Sequence, residues 1–337
     1  MNPLLSAQVR PLALGSLDQL DDESASYGVD PSYLERALYA DAREFLARPG
    51  KAFRARLIQA CCDLASGDGR PVPAAALEAI ELLHGGSLIV DDIQDDALTR
   101  RGAPALHRTI GTPRALNTGN WLYFVALARL DALQLAPELA SGLTRAAHLC
   151  LMRCHEGQAL DLALRVDELR RSELPQLAHF ISARKTGALT GFAARLGGSV
   201  SHDPLGSSQR AMGCLTSFGN KVGVALQMLD DLGSFVSAKR HDKAREDLLG
   251  RRASWVWAWA GQTLDEHTFR QLIKQLTRGG ELDALRERLA DAVEPLGRSR
   301  VREALESAAR ELSTVFAPSP ALDALHAELN HLEHSYG

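Results

Sequence analysis

The chain has no apolar run approaching the ~18 residues that a membrane-spanning helix requires. Its start, "MNPLLSAQVRPLALGSLDQL", lacks a basic segment followed by a long apolar core, so no secretion signal is read there. A net charge of −4 gives no basic field to draw in nucleic acid. Cysteine is sparse and odd in number: Cys61, Cys62, Cys150, Cys154 and Cys214 form no disulfide framework. They fit a reducing cytoplasm, where the chain is expected to reside. Cys150, Cys154 and His155, with His148 nearby, invite a metal reading. Small apolar thiols on a half-buried helix face explain them better. Strand-like runs of Val, Ile and Thr are scarce, and neither a low-complexity linker nor a fixed-period repeat is present.

What is abundant is helix-forming sequence, rich in Leu, Ala, Arg and Glu. Pro and Gly punctuate it at "ARPGKAF", "SGDGRPVP", "RRGAPA", "GTPRAL", "SHDPLGSS" and "APSPAL". The pieces between are long enough for helices of several turns. An all-α bundle in one domain, 31–337, is therefore expected, preceded by a loose arm over 1–30. Trp255, Trp257 and Trp259 fall in "WVWAWAG". Their alternate spacing spreads them around a helix, which predicts a buried helix rather than a membrane contact.

The segment "LIVDDIQDDALTRRG", Leu88 to Gly102, sets four aspartates directly behind an apolar run. A helix is predicted over 73–97. Ile80, His84, Leu88, Asp91 and Asp95 then form one stripe, apolar at its start and acidic at its end. Asp91 and Asp95 lie one turn apart and can share a hard cation, while Asp92 is rotated by about 100° and supports from the side. Mg²⁺ suits such a pair, because it takes a few carboxylates and completes its shell with water and phosphate oxygens. A second helix is predicted over 217–236, where "SFGNKVGVALQMLDDLGSFV" again leads an apolar run into paired acids, Asp230 and Asp231. In a bundle, Asp230 can close the site from the opposing helix. Short basic segments supply the matching charge for diphosphates: Arg100 and Arg101, Lys51 and Arg54 in "GKAFRAR", and Lys185 with Thr186 in "ARKTGAL".

In this order the motifs resemble those of the trans-type isoprenyl diphosphate synthases. "PGKAFRARL" is similar to their Gly-Gly-Lys-x-x-Arg-Pro motif, and "ELLHGGSLIVDDIQD" with "TRRGAPALH" to their first aspartate-rich region. "EGQALDL", "KTGAL", "LQMLDD" and "EDLLGRRAS" resemble the remaining family motifs. The resemblance runs roughly from 43 to 260. It implies an all-α homodimer around a deep cavity, joining an allylic diphosphate to isopentenyl diphosphate head to tail. By matching position, it implies that Asp91, Asp92, Asp95 and Asp230 hold Mg²⁺ and the allylic diphosphate, with Asp231 supporting them as a further metal ligand and Gln227 also in support. Arg100, Lys185 and Lys243 would contact the allylic diphosphate, with Thr186 beside Lys185. Lys51, Arg54, His84 and Arg101 would contact isopentenyl diphosphate.

The chain departs from the family pattern at several points. Ser234 stands where many members carry aspartate, Ala55 replaces proline, Pro49 replaces glycine, and Val90 and Asn120 replace a histidine and an aspartate. Arg252 takes a lysine position, and Lys243 stands one residue nearer Asp247 than usual. A terpene cyclase shares the first acidic motif, but Ala238 stands where its second motif needs glutamate. A cyclase also has no use for a second diphosphate site. A non-catalytic subunit of a heteromeric synthase is the other alternative; the intact first motif argues against it. For product length, Gly85 and Gly86 predict an open cavity wall below Asp91, with Leu83 and Ile80 as the next bulky residues. That arrangement favours geranylgeranyl diphosphate (C20), with farnesyl diphosphate (C15) next.

Overall fold

The computed structural model describes residues 26–50, 52–201, 208–279 and 281–335. Apart from a two-residue hairpin and short single turns, these form packed helices. The expected arm over 1–30 lies almost wholly outside the described residues, as does Lys51.

After α1 (Ala40–Ala47) and α2 (Phe53–Ser66), the chain enters α3 (Ala74–Gln94). Its start is set by Pro73, whose extended backbone cannot continue a helix backwards. Its end is set by Asp96, which turns left-handed at φ 53°. The hairpin follows, β1 (Thr99–Arg100) against β2 (Ala103–Pro104), with Arg100 opposite Ala103. Arg101 and Gly102 close it with positive φ at both positions, the signature of a tight two-residue turn.

α4 (Thr112–Asp131) lies along α3, and α5 (Pro137–Ala163) follows it. The α3–α4 contact is close because both helices present glycine. A Cβ on Gly86 would sit 2.7 Å from the Gly119 carbonyl oxygen. α6 (Leu174–Ser182) runs through a π-helical turn, Ala183–Gly187, into α7 (Ala188–Ser199). α8 (Gln209–Val236) is capped by the Ser208 hydroxyl, which accepts from the Ala211 N–H at 3.3 Å. Small residues let α7 nest between α2 and α8.

α9 (His241–Leu249) and α10 (Trp255–Thr263) bring the chain back over the open end of α8. Trp255, Trp257 and Trp259 are buried there as expected, with Trp255 and Trp259 stacked at 5.7 Å. α11 (Glu266–Thr277), α12 (Leu282–Leu312) and α13 (Pro320–Ser335) form the outer layer, and α12 packs along α8. Among the described residues, no helix is long and apolar enough to cross a membrane.

Candidate active site

The helical stripe on α3 delivers its acids to the rim of a cleft of about 300 Å³. Leu83, His84, Ser87, Leu88, Asp91 and Asp95 all line it, in the order the 3.6-residue period dictates. A second lobe of about 320 Å³ adjoins it, and Asp91, Asp95, Lys185, Gln227 and Lys243 belong to both.

Lys185 rises from the π-helical turn and ties two helices to the rim. Its Nζ lies 3.1 Å from Asp91 and 2.9 Å from Asp161. Gln158 on α5 donates to Asp91 Oδ1 at 2.8 Å. Burial pushes the Asp91 carboxyl up, but Lys185, and further off Arg100 and Lys243, outweigh it and hold it below the usual range. Burial, with repulsion from Asp91, raises the Asp95 carboxyl instead. Arg252 pairs with Asp95 and donates to the Asp161 carbonyl. Neither Asp161 nor Arg252 had been placed in the site from the sequence. Arg252 does sit at the family's lysine position, and Asp161 lies in "EGQALDL", which was the available signal.

Asp92 does not join this pair. It is fully buried and pairs with Arg100, whose hairpin position points it back at α3. The geometry therefore takes Asp92 out of the metal-facing set and makes it the anchor of Arg100. Arg101, one residue on, projects elsewhere because the turn intervenes. Its guanidinium lies 5.9 Å over the Phe45 ring and 3.3 Å from where a Cβ on Gly50 would stand.

Arg54 and His84 also meet: Arg54 Nη1 lies 3.2 Å from His84 Nε2. Burial, with Arg54 and Arg101 adding to it, pushes His84 well below its ordinary pKa. The ring is therefore neutral, and because arginine only donates, Nε2 accepts.

Across the cleft, α8 presents Asp230, which accepts from Arg240 Nη2 at 3.0 Å. Asp231 faces the adjoining lobe rather than the cleft. Its two oxygens accept from Gln227 Nε2 at 2.8 Å and the Trp255 N–H at 2.9 Å. Burial pushes its carboxyl up to about 7. Asp231 thus seats α10 on α8, and the expectation that it ligates metal is corrected. Thr186 donates to Gln227 Oε1 at 2.7 Å, extending the same chain of hydrogen bonds. Lys243 lies 4.0 Å from Asp247, whose carboxylate holds the ammonium above its usual pKa.

The open wall predicted from Gly85 and Gly86 is also corrected. Gly86 faces Gly119, Leu122 and Tyr123 on α4, and a Cβ on Gly85 would strike Leu46 at 2.6 Å. Both glycines serve helix packing. The aromatic wall comes instead from Tyr123, which lines the cleft and meets His155 edge to face at 5.9 Å. Leu83 lines it as expected, whereas Ile80 is buried in the core.

The donor set suits a hard divalent cation. Asp91 and Asp95 are oxygen ligands one turn apart. Beside Asp91, Gln158 Oε1 is buried without a hydrogen-bond partner. Among the described residues, no three acidic, histidine or cysteine side chains form a closed metal cage. A cation here would complete its shell with water and phosphate oxygens, as Mg²⁺ does.

The polyprenyl synthetase family model matches residues 35–291. The chain belongs to the polyprenyl synthetase family. It is 32% identical to geranylgeranyl pyrophosphate synthase 2 of Zymoseptoria tritici, over 70% of this chain and 69% of that protein. It is 31% identical to the short chain isoprenyl diphosphate synthase of Methanothermobacter thermautotrophicus, over 90% of this chain and 85% of that one. The crystal structure of geranylgeranyl pyrophosphate synthetase from Pyrococcus horikoshii superposes with a TM-score of 0.74, covering 90% of each chain at 23% identity. That last likeness places this polyprenyl synthetase in the same all-α fold.

Proposed function

We infer that this polyprenyl synthetase joins an allylic diphosphate to isopentenyl diphosphate head to tail. The observation that carries the reading is the division of the cleft. Asp91 and Asp95 face Asp230 across its mouth, Leu83, Leu88, Leu151, Leu189 and Tyr123 line its deeper part, and Arg54 with His84 forms a second polar corner. An acid-rimmed mouth over an apolar channel fits an allylic diphosphate. The second corner gives a further diphosphate somewhere to sit.

Asp91, Asp95 and Asp230 would hold Mg²⁺, which would neutralise the allylic diphosphate and supply charge stabilisation for its departure. Lys185 and Arg100 add fixed positive charge beside that oxygen, already oriented by Asp161 and Asp92. Lys243 faces the same diphosphate, and Gln227 with Thr186 keeps the α8 wall in register. Arg54, neutral His84 and Arg101, with Lys51, receive isopentenyl diphosphate. The apolar wall keeps water from the allylic cation while the isopentenyl double bond attacks it. The departing diphosphate takes the proton, so no side-chain base is needed.

The names of the relatives favour a C20 product. The cleft supports a prenyl tail passing Ser87 and Leu83, the latter about 12 Å along α3 from Asp91. Residues 31–337 act as one domain, and the protein works in the cytoplasm as a homodimer. α4 and α5, which pack together, expose Leu116, Phe124, Leu149 and Met152, and these supply an apolar face for the second copy.

Calorimetry separates this reading from a cyclase. With Mg²⁺ and an unreactive allylic thiodiphosphate already bound, isopentenyl diphosphate should still bind at one site per chain. Failure to bind a second diphosphate would remove the condensation reading.

A further inference from the structure

We propose that Arg240 is a diphosphate-binding residue that stands in for the acid this chain lacks in its second aspartate-rich motif. The inference rests on the condensation reading and extends it to a residue outside the family motifs.

Three observations carry it. First, Ser234, at the position where an aspartate is usual, is fully buried and donates to the Asp231 carbonyl at 2.8 Å. It is turned into its own helix and has no access to the cleft. The α8 wall therefore offers one cleft-facing carboxylate from this motif, Asp230. Second, the turn Ala238–Arg240 folds back over the end of α8 and puts a guanidinium on that same carboxylate. Asp230, Arg240, Lys243 and Glu246 are the charged groups this wall gives the cleft, opposite Asp91, Asp95, Arg100 and Lys185. The two acids and two bases balance, where an aspartate at position 234 would have left this wall net negative. Third, the Arg240–Asp230 pair is half open to solvent, with side chains 30% and 42% exposed. A pair so exposed is weak, and a ligand oxygen can displace the carboxylate from it.

Asp230 parks Arg240 where its planar fork can exchange a carboxylate for a phosphate without moving far. Phosphate oxygens suit that fork in bidentate geometry. The trade is between a second acid, which recruits charge through a cation, and a guanidinium, which supplies charge directly. Arg240 touches the allylic diphosphate and not isopentenyl diphosphate, because Arg54 and His84 hold the other corner.

The test compares the parent with Arg240→Ala, Arg240→Gln and Arg240→Lys. Calorimetry with inorganic pyrophosphate at saturating Mg²⁺ is run beside steady-state kinetics, and thermal melts confirm folding. The expected result is pyrophosphate affinity about tenfold weaker or more in Arg240→Ala and Arg240→Gln, the loss of one charge-assisted contact. KM should rise for the allylic substrate, stay within about twofold for isopentenyl diphosphate, and be partly restored by Arg240→Lys. Parent-like or tighter pyrophosphate binding in either neutral variant would overturn the proposal, because a mere counter-ion for Asp230 predicts that. So would equal KM changes for both substrates. If the parent itself fails to condense the two diphosphates, the functional reading falls, while the pyrophosphate comparison still reports on Arg240.

Discussion

Gly86→Phe distinguishes a cavity wall from a packing contact. An open wall would accept the ring, leave the protein folded and shorten the product. The structure predicts otherwise. The first added carbon already meets the Gly119 carbonyl oxygen at 2.7 Å, and Leu122 Cβ and Tyr123 Cε1 at 3.2 Å. The nearest atom is backbone and cannot rotate away. Relieving it requires α3 and α4 to separate along their whole contact. Overpacking of this kind costs about 1–3 kcal/mol for a small insertion. Replacing glycine by alanine within a helix returns about 1 kcal/mol, so Gly86→Ala should fall between neutral and about 2 kcal/mol destabilised. Gly86→Phe adds a ring to the same clash with no further propensity gain, and should exceed the upper end of that range. Thermal melts of the two variants measure this, with product analysis alongside. A Gly86→Phe protein with the parent's Tm and a shorter product would show that Gly86 faces the prenyl tail and that the packing argument is wrong.

Asp91→Ala and Asp230→Ala should each lower kcat by about 10²-fold or more at saturating Mg²⁺, the scale expected for losing a ligand to developing charge. Asp96→Ala is the control for register; Asp96 is 82% exposed and pairs with Arg108 at the rim, so turnover should stay within about threefold. Asp231→Asn sets an amide N–H₂ against either Gln227 or the Trp255 N–H, and should cost about 1–3 kcal/mol of stability. Denaturant melts measure that cost, and an unchanged midpoint would contradict a structural role. Tyr123→Ala removes the aromatic wall and should lengthen the product, as read by chromatography of dephosphorylated products; no shift would move the length control elsewhere.

The helical stripe Ile80, His84, Leu88, Asp91, Asp95 was legible because period and chemistry change together along one face. The same geometry foretold the sideways turn of Asp92, though not that Arg100 would hold the fully buried carboxylate. The different directions of Arg100 and Arg101 were not legible from adjacency. They depend on a two-residue turn with positive φ at Arg101. Glycines proved least readable. Gly85 and Gly86 announce a need for space, but only the position of α4 shows that the space is taken by another helix. Asp161 with Lys185, and Arg252 with Asp95, join residues far apart in the chain. No local pattern specifies such pairs, although the motif containing Asp161 marked the neighbourhood. Asp231 looked like Asp230's twin in sequence, and one residue of helical rotation gave it to Trp255 instead of the cleft.

The most direct test is a product assay with purified protein, Mg²⁺, farnesyl diphosphate and labelled isopentenyl diphosphate. The account predicts label in a longer prenyl diphosphate, chiefly C20, that requires both substrates and disappears with chelator. Hydrocarbon or alcohol formed from farnesyl diphosphate alone, or no product from a folded protein with Mg²⁺ present, would contradict it.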